Sequence, residues 1–145
     1  MKSEAGCEAN AATKEMAPKR WMLVDDNEKV LLLSSIMIEH LTGAPVECHN
    51  SPTSALKAFV AAPKTYQVVV TDYDMPEMNG VELCRQMREV MPEQKIFLAT
   101  GNEIFSQARI QSAGFSALLR KPYTVTVLEA AIIQAGLKAQ NTCAA

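Results

Sequence analysis

The chain has only 2 histidines and 4 cysteines among 145 residues, with no Cys-x-x-Cys pair, no basic run and no long apolar stretch. Each shortage removes a class of protein. Cys7, Cys48, Cys84 and Cys143 lack the paired spacing of a zinc site, so free buried thiols are expected, in keeping with a reducing cytoplasm. His40 and His49 stand alone, which suits a helix end and a strand edge better than a metal. A membrane-spanning helix needs roughly 18 uninterrupted apolar residues, and none is present, so no membrane partner is expected. The 14 Lys and Arg against 16 Asp and Glu give a net charge of −2, so direct nucleic-acid binding is not expected either. Residues 1–19 interleave Ala with Lys2, Glu4, Glu8, Lys14 and Glu15, which breaks any secretory apolar core and predicts a flexible N-terminal extension.

The remaining composition, 48% hydrophobic and 21% charged, is that of an ordinary globule, and the length suits one domain. Its expected bounds are 20–138, with a tail over 139–145 in which no further domain fits. A stand-alone domain and a piece of a longer protein both remain open.

Helices and strands alternate along the sequence. Val30, Leu31, Leu32, Leu33, Ile36, Met37, Ile38 and Leu41 recur at helical spacing up to Gly43, a natural C-cap. Val46 to His49 reads as a short strand. Ser51-Pro52 reads as an N-cap with proline at the first helical position, and the helix ends near Pro63. A strand over Gln67 to Thr71, a loop over Asp72 to Asn79 and a helix stopped before Pro92 follow. The spacing then predicts a strand from Lys95 to Ala99, a helix from Glu103 to Ala113 closed by Gly114, and a strand from Phe115 to Leu119. The last helix starts near Thr124 or Thr126, where Thr126 and Glu129 would form a capping box. Five strands joined by right-handed helical crossovers imply an α/β, flavodoxin-like, doubly wound parallel sheet of order 2-1-3-4-5 with five helices.

Three of the apolar runs end in charge. Trp21-Met22-Leu23-Val24 leads into Asp25-Asp26, Val68-Val69-Val70-Thr71 into Asp72-Tyr73-Asp74, and Ala117-Leu118-Leu119-Arg120 into Lys121-Pro122. Open α/β sheets place ligands at the C-terminal ends of their strands, so these groups converge on one pocket. Carboxylates that close together raise one another's pKa, and a hard, oxygen-seeking cation such as Mg²⁺ is the usual remedy. A lysine facing them points to an anion, and the combination fits phosphoryl chemistry. Taken singly, Asp25 or Asp26 could only cap the first helix, and Lys121 could be a solvated strand end.

Asp25-Asp26, Asp72-Tyr73-Asp74-Met75-Pro76-Glu77-Met78-Asn79-Gly80, Thr100 and Lys121-Pro122 together resemble the receiver domain of response regulators in two-component signalling, over about Arg20 to Leu137. The resemblance implies that Asp72 is the phosphoacceptor for a histidine kinase or phosphotransfer protein. It implies that Asp25, Asp26 and Asp72 hold Mg²⁺ with the backbone carbonyl of Asp74. Lys121 and Thr100 would contact phosphate oxygens, and Pro122 would follow a cis peptide that aims Lys121 inward. A conformational switch would then signal to a downstream protein. Such a domain is not a conventional enzyme, although it catalyses its own phosphorylation and slow dephosphorylation. Met75 and Met78 are expected to pack the loop.

The chain departs from the family pattern twice. Leu118 stands where an aromatic residue is usual, and Gly101 follows Thr100 in place of alanine. Two rival readings accompany this one: a haloacid-dehalogenase-like phosphohydrolase, suggested by Asp72-Tyr73-Asp74 after a strand, and an inert receiver-like interaction module.

Overall fold

A computed structural model of the chain describes residues 19–102 and 106–139, and of Gln107 the backbone alone. Five parallel strands, β1 (Arg20–Val24), β2 (Val46–His49), β3 (Tyr66–Asp72), β4 (Lys95–Thr100) and β5 (Ala117–Arg120), form one sheet of order β2-β1-β3-β4-β5. Helices α1 (Glu28–Thr42), α2 (Pro52–Ala61), α3 (Gly80–Val90) and α4 (Gln107–Ser112) fill the four crossovers, and α5 (Val125–Gln134) follows the last strand. The expected doubly wound, flavodoxin-like fold is therefore the observed one.

Alternation along the strands sorts the core into two layers. Trp21, Leu23, Val68, Val70, Phe97, Ala99, Ala117 and Leu119 pack with Leu31, Ile38 and Leu41 of α1 and Leu128, Ala131 and Ile132 of α5. The intervening residues Met22, Val24, Val69, Ile96 and Leu98 pack with Phe59 of α2, Leu83 and Met87 of α3, and Ile110 of α4. Both sheet faces are covered, which explains why the strands read as continuous apolar runs.

Asn27, and neither acid before it, caps α1 by accepting from Lys29 N and Val30 N; Gly43 closes the helix at φ 71. Ser51 caps α2 with Pro52 in the first turn. The other corrections are local. β3 is longer than Gln67 to Thr71 by one residue at each end. β4 extends one residue beyond Ala99, through Thr100. β5 begins at Ala117 and not Phe115, because the Phe115 N–H returns to the Ile110 carbonyl and closes the turn after α4. α4 starts at Gln107 with Ser106 as its cap; the expected start at Glu103 lies outside the described residues. Thr124 caps α5 by accepting from Val127 N, so the Thr126–Glu129 box does not form and Glu129 is a buried helix residue. Cys84 is buried and free, as expected, but Cys48 is exposed on the edge strand. Cys7, Cys143 and, apart from Lys19 and Ala139, the two terminal segments lie outside the described residues.

Candidate functional site

The register brings the charged strand ends together. Val24 pairs with His49 on one side and Thr71 on the other, Asp72 with Ala99, and Thr100 with Arg120. Asp25, Asp72, Thr100 and Lys121 thus leave the sheet along one edge. Asp25 N–H donates to the His49 carbonyl (3.1 Å) and Asp25 Oδ1 accepts from Asn27 N (2.9 Å), which fixes the carboxylate where β1 turns into α1. His49 holds its strand-edge place through ring contacts to Glu47 and Ser54, both 2.7 Å.

One carboxylate oxygen from each of Asp25, Asp26 and Asp72 lies within 4.8 Å of the other two. Asp25 and Asp72 are buried and Asp26 is exposed, so the cluster opens to solvent on one side. Three hard oxygen donors at this separation fit a small divalent cation such as Mg²⁺, which keeps several waters of its own. The Asp74 side chain is exposed, and its carboxylate is outside the cluster among the described residues.

Lys121 reaches the two buried carboxylates of the cluster. Its Nζ lies 2.7 Å from Asp25 Oδ2 and 3.2 Å from Asp72 Oδ1. The Lys121–Pro122 peptide is cis, as expected, and Lys121 N donates to the Thr100 carbonyl (3.0 Å). Burial and then the neighbouring Asp25 charge push the Asp72 carboxyl above its usual range, with Lys121 only partly offsetting them. Burial works against the Lys121 ammonium, but Asp25 and Asp72 outweigh it and hold its pKa above the ordinary lysine value. The pocket therefore holds an excess of negative charge that one lysine does not cancel.

Thr100 is fully buried at the end of β4, where its Oγ1 accepts from Asn102 N (3.0 Å). Met75 and Met78 pack against the α2–α4 layer of the core, in line with a loop-packing role. Leu118 is partly buried on that same layer.

Three features of the site were not read from the sequence. An ideal Cβ on Gly80 would lie 2.4 Å from the Asp72 carbonyl oxygen, so only glycine fits beneath the loop. Glu77 sits at φ 77 between Pro76 O and Met78 N, a strained three-residue turn, while its carboxylate accepts from Thr53 Oγ1 (2.8 Å). The Tyr123 hydroxyl meets Ser34 Oγ at 2.6 Å. A glycine after the acidic loop and a serine on the apolar face of α1 were the available signals.

Comparison with known proteins agrees with this geometry. Residues 22–133 match the response regulator receiver domain family, and the chain belongs to it. It is a receiver domain of the kind found in two-component systems. The Rhizobium meliloti transcriptional regulatory protein FixJ is 33% identical over 116 residues, covering 78% of this chain and 54% of FixJ. The Escherichia coli aerobic respiration control sensor protein ArcB is 27% identical over 114 residues, covering 77% of this chain but 14% of ArcB. The chain thus spans well under two thirds of these relatives. Among solved structures, a Clostridium thermocellum response regulator receiver domain superposes with TM-score 0.73 at 26% identity, covering 81% of this chain and 93% of that one. Vibrio cholerae chemotaxis protein CheY4, at 22% identity and TM-score 0.71, covers 82% and 99% and shares the fold. No helix among the described residues is long and apolar enough to cross a membrane.

Proposed function

We propose that the chain is a phosphoacceptor receiver of a cytoplasmic phosphorelay, taking a phosphoryl group on Asp72 from a histidine kinase or phosphotransfer protein. The observation that carries this reading is the placement of Lys121 Nζ between Asp25 and Asp72 in a pocket completed by Asp26. Relatives described as a sensor protein and a transcriptional regulatory protein support it. In the step proposed, an Asp72 carboxylate oxygen attacks the donor's phosphorus in line. A new O–P bond forms as the N–P bond to the donor imidazole breaks, and the imidazole leaves with the electron pair. Asp25, Asp26, Asp72 and the Asp74 backbone carbonyl would hold Mg²⁺, which neutralises charge on the transferring group.

Lys121 pairs with one phosphoryl oxygen, and the Thr100 hydroxyl, which accepts from Asn102 N, donates its own hydrogen to another in a charge-assisted bond. The functional unit spans residues 20–138, with 1–19 and 139–145 as flanking segments, and its conformational switch signals to a downstream protein. Incubation with a small phosphodonor and Mg²⁺ tests the reading. Intact-mass spectrometry should show one phosphoryl group per chain, absent from Asp72→Asn. Undiminished labelling of that variant refutes it, rapid turnover of donor would favour a hydrolase, and no labelling would favour an inert interaction module.

A further inference from the structure

Two polar cross-links join the same pair of chain segments. Lys121 Nζ to Asp25 Oδ2 bridges 96 residues inside the pocket, and Tyr123 OH to Ser34 Oγ bridges 89 residues just behind it. Asp25 leads into α1, which carries Ser34, and Lys121 and Tyr123 flank Pro122. The links and the two short stretches of chain therefore close a ring. A small cavity of about 10 Å³, lined in part by Asp25, Asp72, Ser34 and Tyr123, lies between them.

The outer link is out of place as packing. Ser34 is 3% exposed and half-encloses an apolar groove of about 340 Å³ with Val30, Leu33, Met37 and Pro122. A buried hydroxyl costs free energy unless it is partnered, and an alanine facing a phenylalanine would fill the same space with no such demand. The pair thus adds direction where volume alone would have served. Burial also pushes the Tyr123 hydroxyl above the ordinary tyrosine pKa, so it remains a neutral O–H at any physiological pH.

On the phosphoacceptor reading above, Lys121 must turn from Asp25 to a phosphoryl oxygen, which loosens the inner link at the moment of reaction. We infer that Tyr123 is a positioning residue for phosphoryl transfer: its hydroxyl, anchored by Ser34, holds the Lys121-Pro122-Tyr123 turn against α1 while Lys121 changes partner. The cation ligands, Asp25 and Asp26 just after β1 and Asp72 at the end of β3, are held by their own strands and do not depend on this anchor. Loss of the bond should therefore weaken recognition of a phosphoryl group and spare recognition of Mg²⁺.

The test measures Mg²⁺ affinity, and beryllofluoride affinity in excess Mg²⁺, for the wild type, Tyr123→Phe, Ser34→Ala and the double variant. Each variant should bind beryllofluoride about three- to tenfold more weakly, the size one neutral hydrogen bond supports, with Mg²⁺ affinity unchanged. The double variant should be no worse than either single one, since all remove the same bond. It should also melt close to the wild type, because neither hydroxyl is left unpartnered. Wild-type beryllofluoride affinity in the double variant overturns the inference, as does Mg²⁺ affinity falling in step, which marks general loosening. If the wild type itself binds Mg²⁺ but no beryllofluoride, the phosphoacceptor reading has failed and this inference falls with it.

Discussion

Beneath Asp72 the main chain leaves no space for a side chain at position 80. A Cβ there would meet the Asp72 carbonyl oxygen at 2.4 Å and Leu98 Cδ1 at 3.0 Å, while Gly80 N donates to Tyr73 O at 2.9 Å. Backbone cannot swing aside as a flexible side chain can. Gly80→Ala should cost about 1–3 kcal/mol, seen as a lower unfolding midpoint in urea, and should depress phosphorylation of Asp72 by displacing it. Wild-type stability and labelling in this variant would refute the close approach.

Asp72 itself sets a second expectation. Its folded pKa is raised above the ordinary 3.8 by burial and by Asp25. The stabilising contribution then belongs to the protonated form, present in full below about 3.8 and lost as the pH rises through the folded value. At neutral pH without metal, the ionised group destabilises the fold. Asp72→Asn should therefore melt higher than the wild type at pH 7 in a chelator, and the difference should shrink as the pH falls toward 3.8. A variant that melts lower at pH 7 under those conditions contradicts the charge excess described for the pocket.

Among the elements, α5 shows how a sequence motif can lose to geometry. Thr124, directly after the Pro122-Tyr123 turn, caps the helix by accepting from Val127 N at 3.3 Å. Thr126 is already in the second turn position, and its partner in the expected box, Glu129, is buried. Thr124→Ala should cost about 1 kcal/mol in thermal unfolding while Thr126→Ala costs little. The reverse order would restore the capping box.

Gly101, at the start of the β4–α4 connection, presents the opposite case to Gly80. A Cβ on Gly101 would find only the Lys121 carbonyl oxygen, at 4.0 Å, and the residue is outside the left-handed region. Gly101→Ala is thus accommodated and should stabilise by about 0.4–1 kcal/mol through the unfolded chain. Leu118 packs on the core layer shared with Ile110 and Phe115 and has no polar tip to carry a signal outward. Beryllofluoride should shift the amide NMR signals of Thr100, Gly101, Asn102 and α4 more than the Leu118 methyls. Gly101→Ala should alter that response more than Leu118→Ala does; abolition of the response by Leu118→Ala alone would make the leucine the switch.

For the molecule as a whole, the acidic site is a reservoir of instability that a bound cation would relieve. Divalent binding to the native state alone raises stability by mass action, about 2.7 kcal/mol at a concentration one hundred times Kd. Millimolar Mg²⁺ should raise the melting temperature at neutral pH and progressively less in acid, where Asp72 takes up a proton. An unmoved midpoint at neutral pH would count against Asp25, Asp26 and Asp72 as a cation site.

The order and type of the elements are legible in the sequence, because continuous apolar runs ending in turn residues are what a sheet covered on both faces demands. A parallel sheet puts every strand's C-terminal end on one edge, so Asp25, Asp72 and Lys121 could be gathered from their positions alone, while Thr100 came with the family resemblance. Contacts that run between elements leave no local period and emerge only when the chain is folded. Gly80 is fixed by the approach of a carbonyl from β3, and Ser34 and Tyr123 by a crossing 89 residues apart. The start of β5 and the cap of α5 were decided in the same way, by Phe115 closing the turn after α4 and by Thr124 accepting from Val127 N. Periodicity reports which face of an element is buried; what touches that face depends on the other elements folded against it.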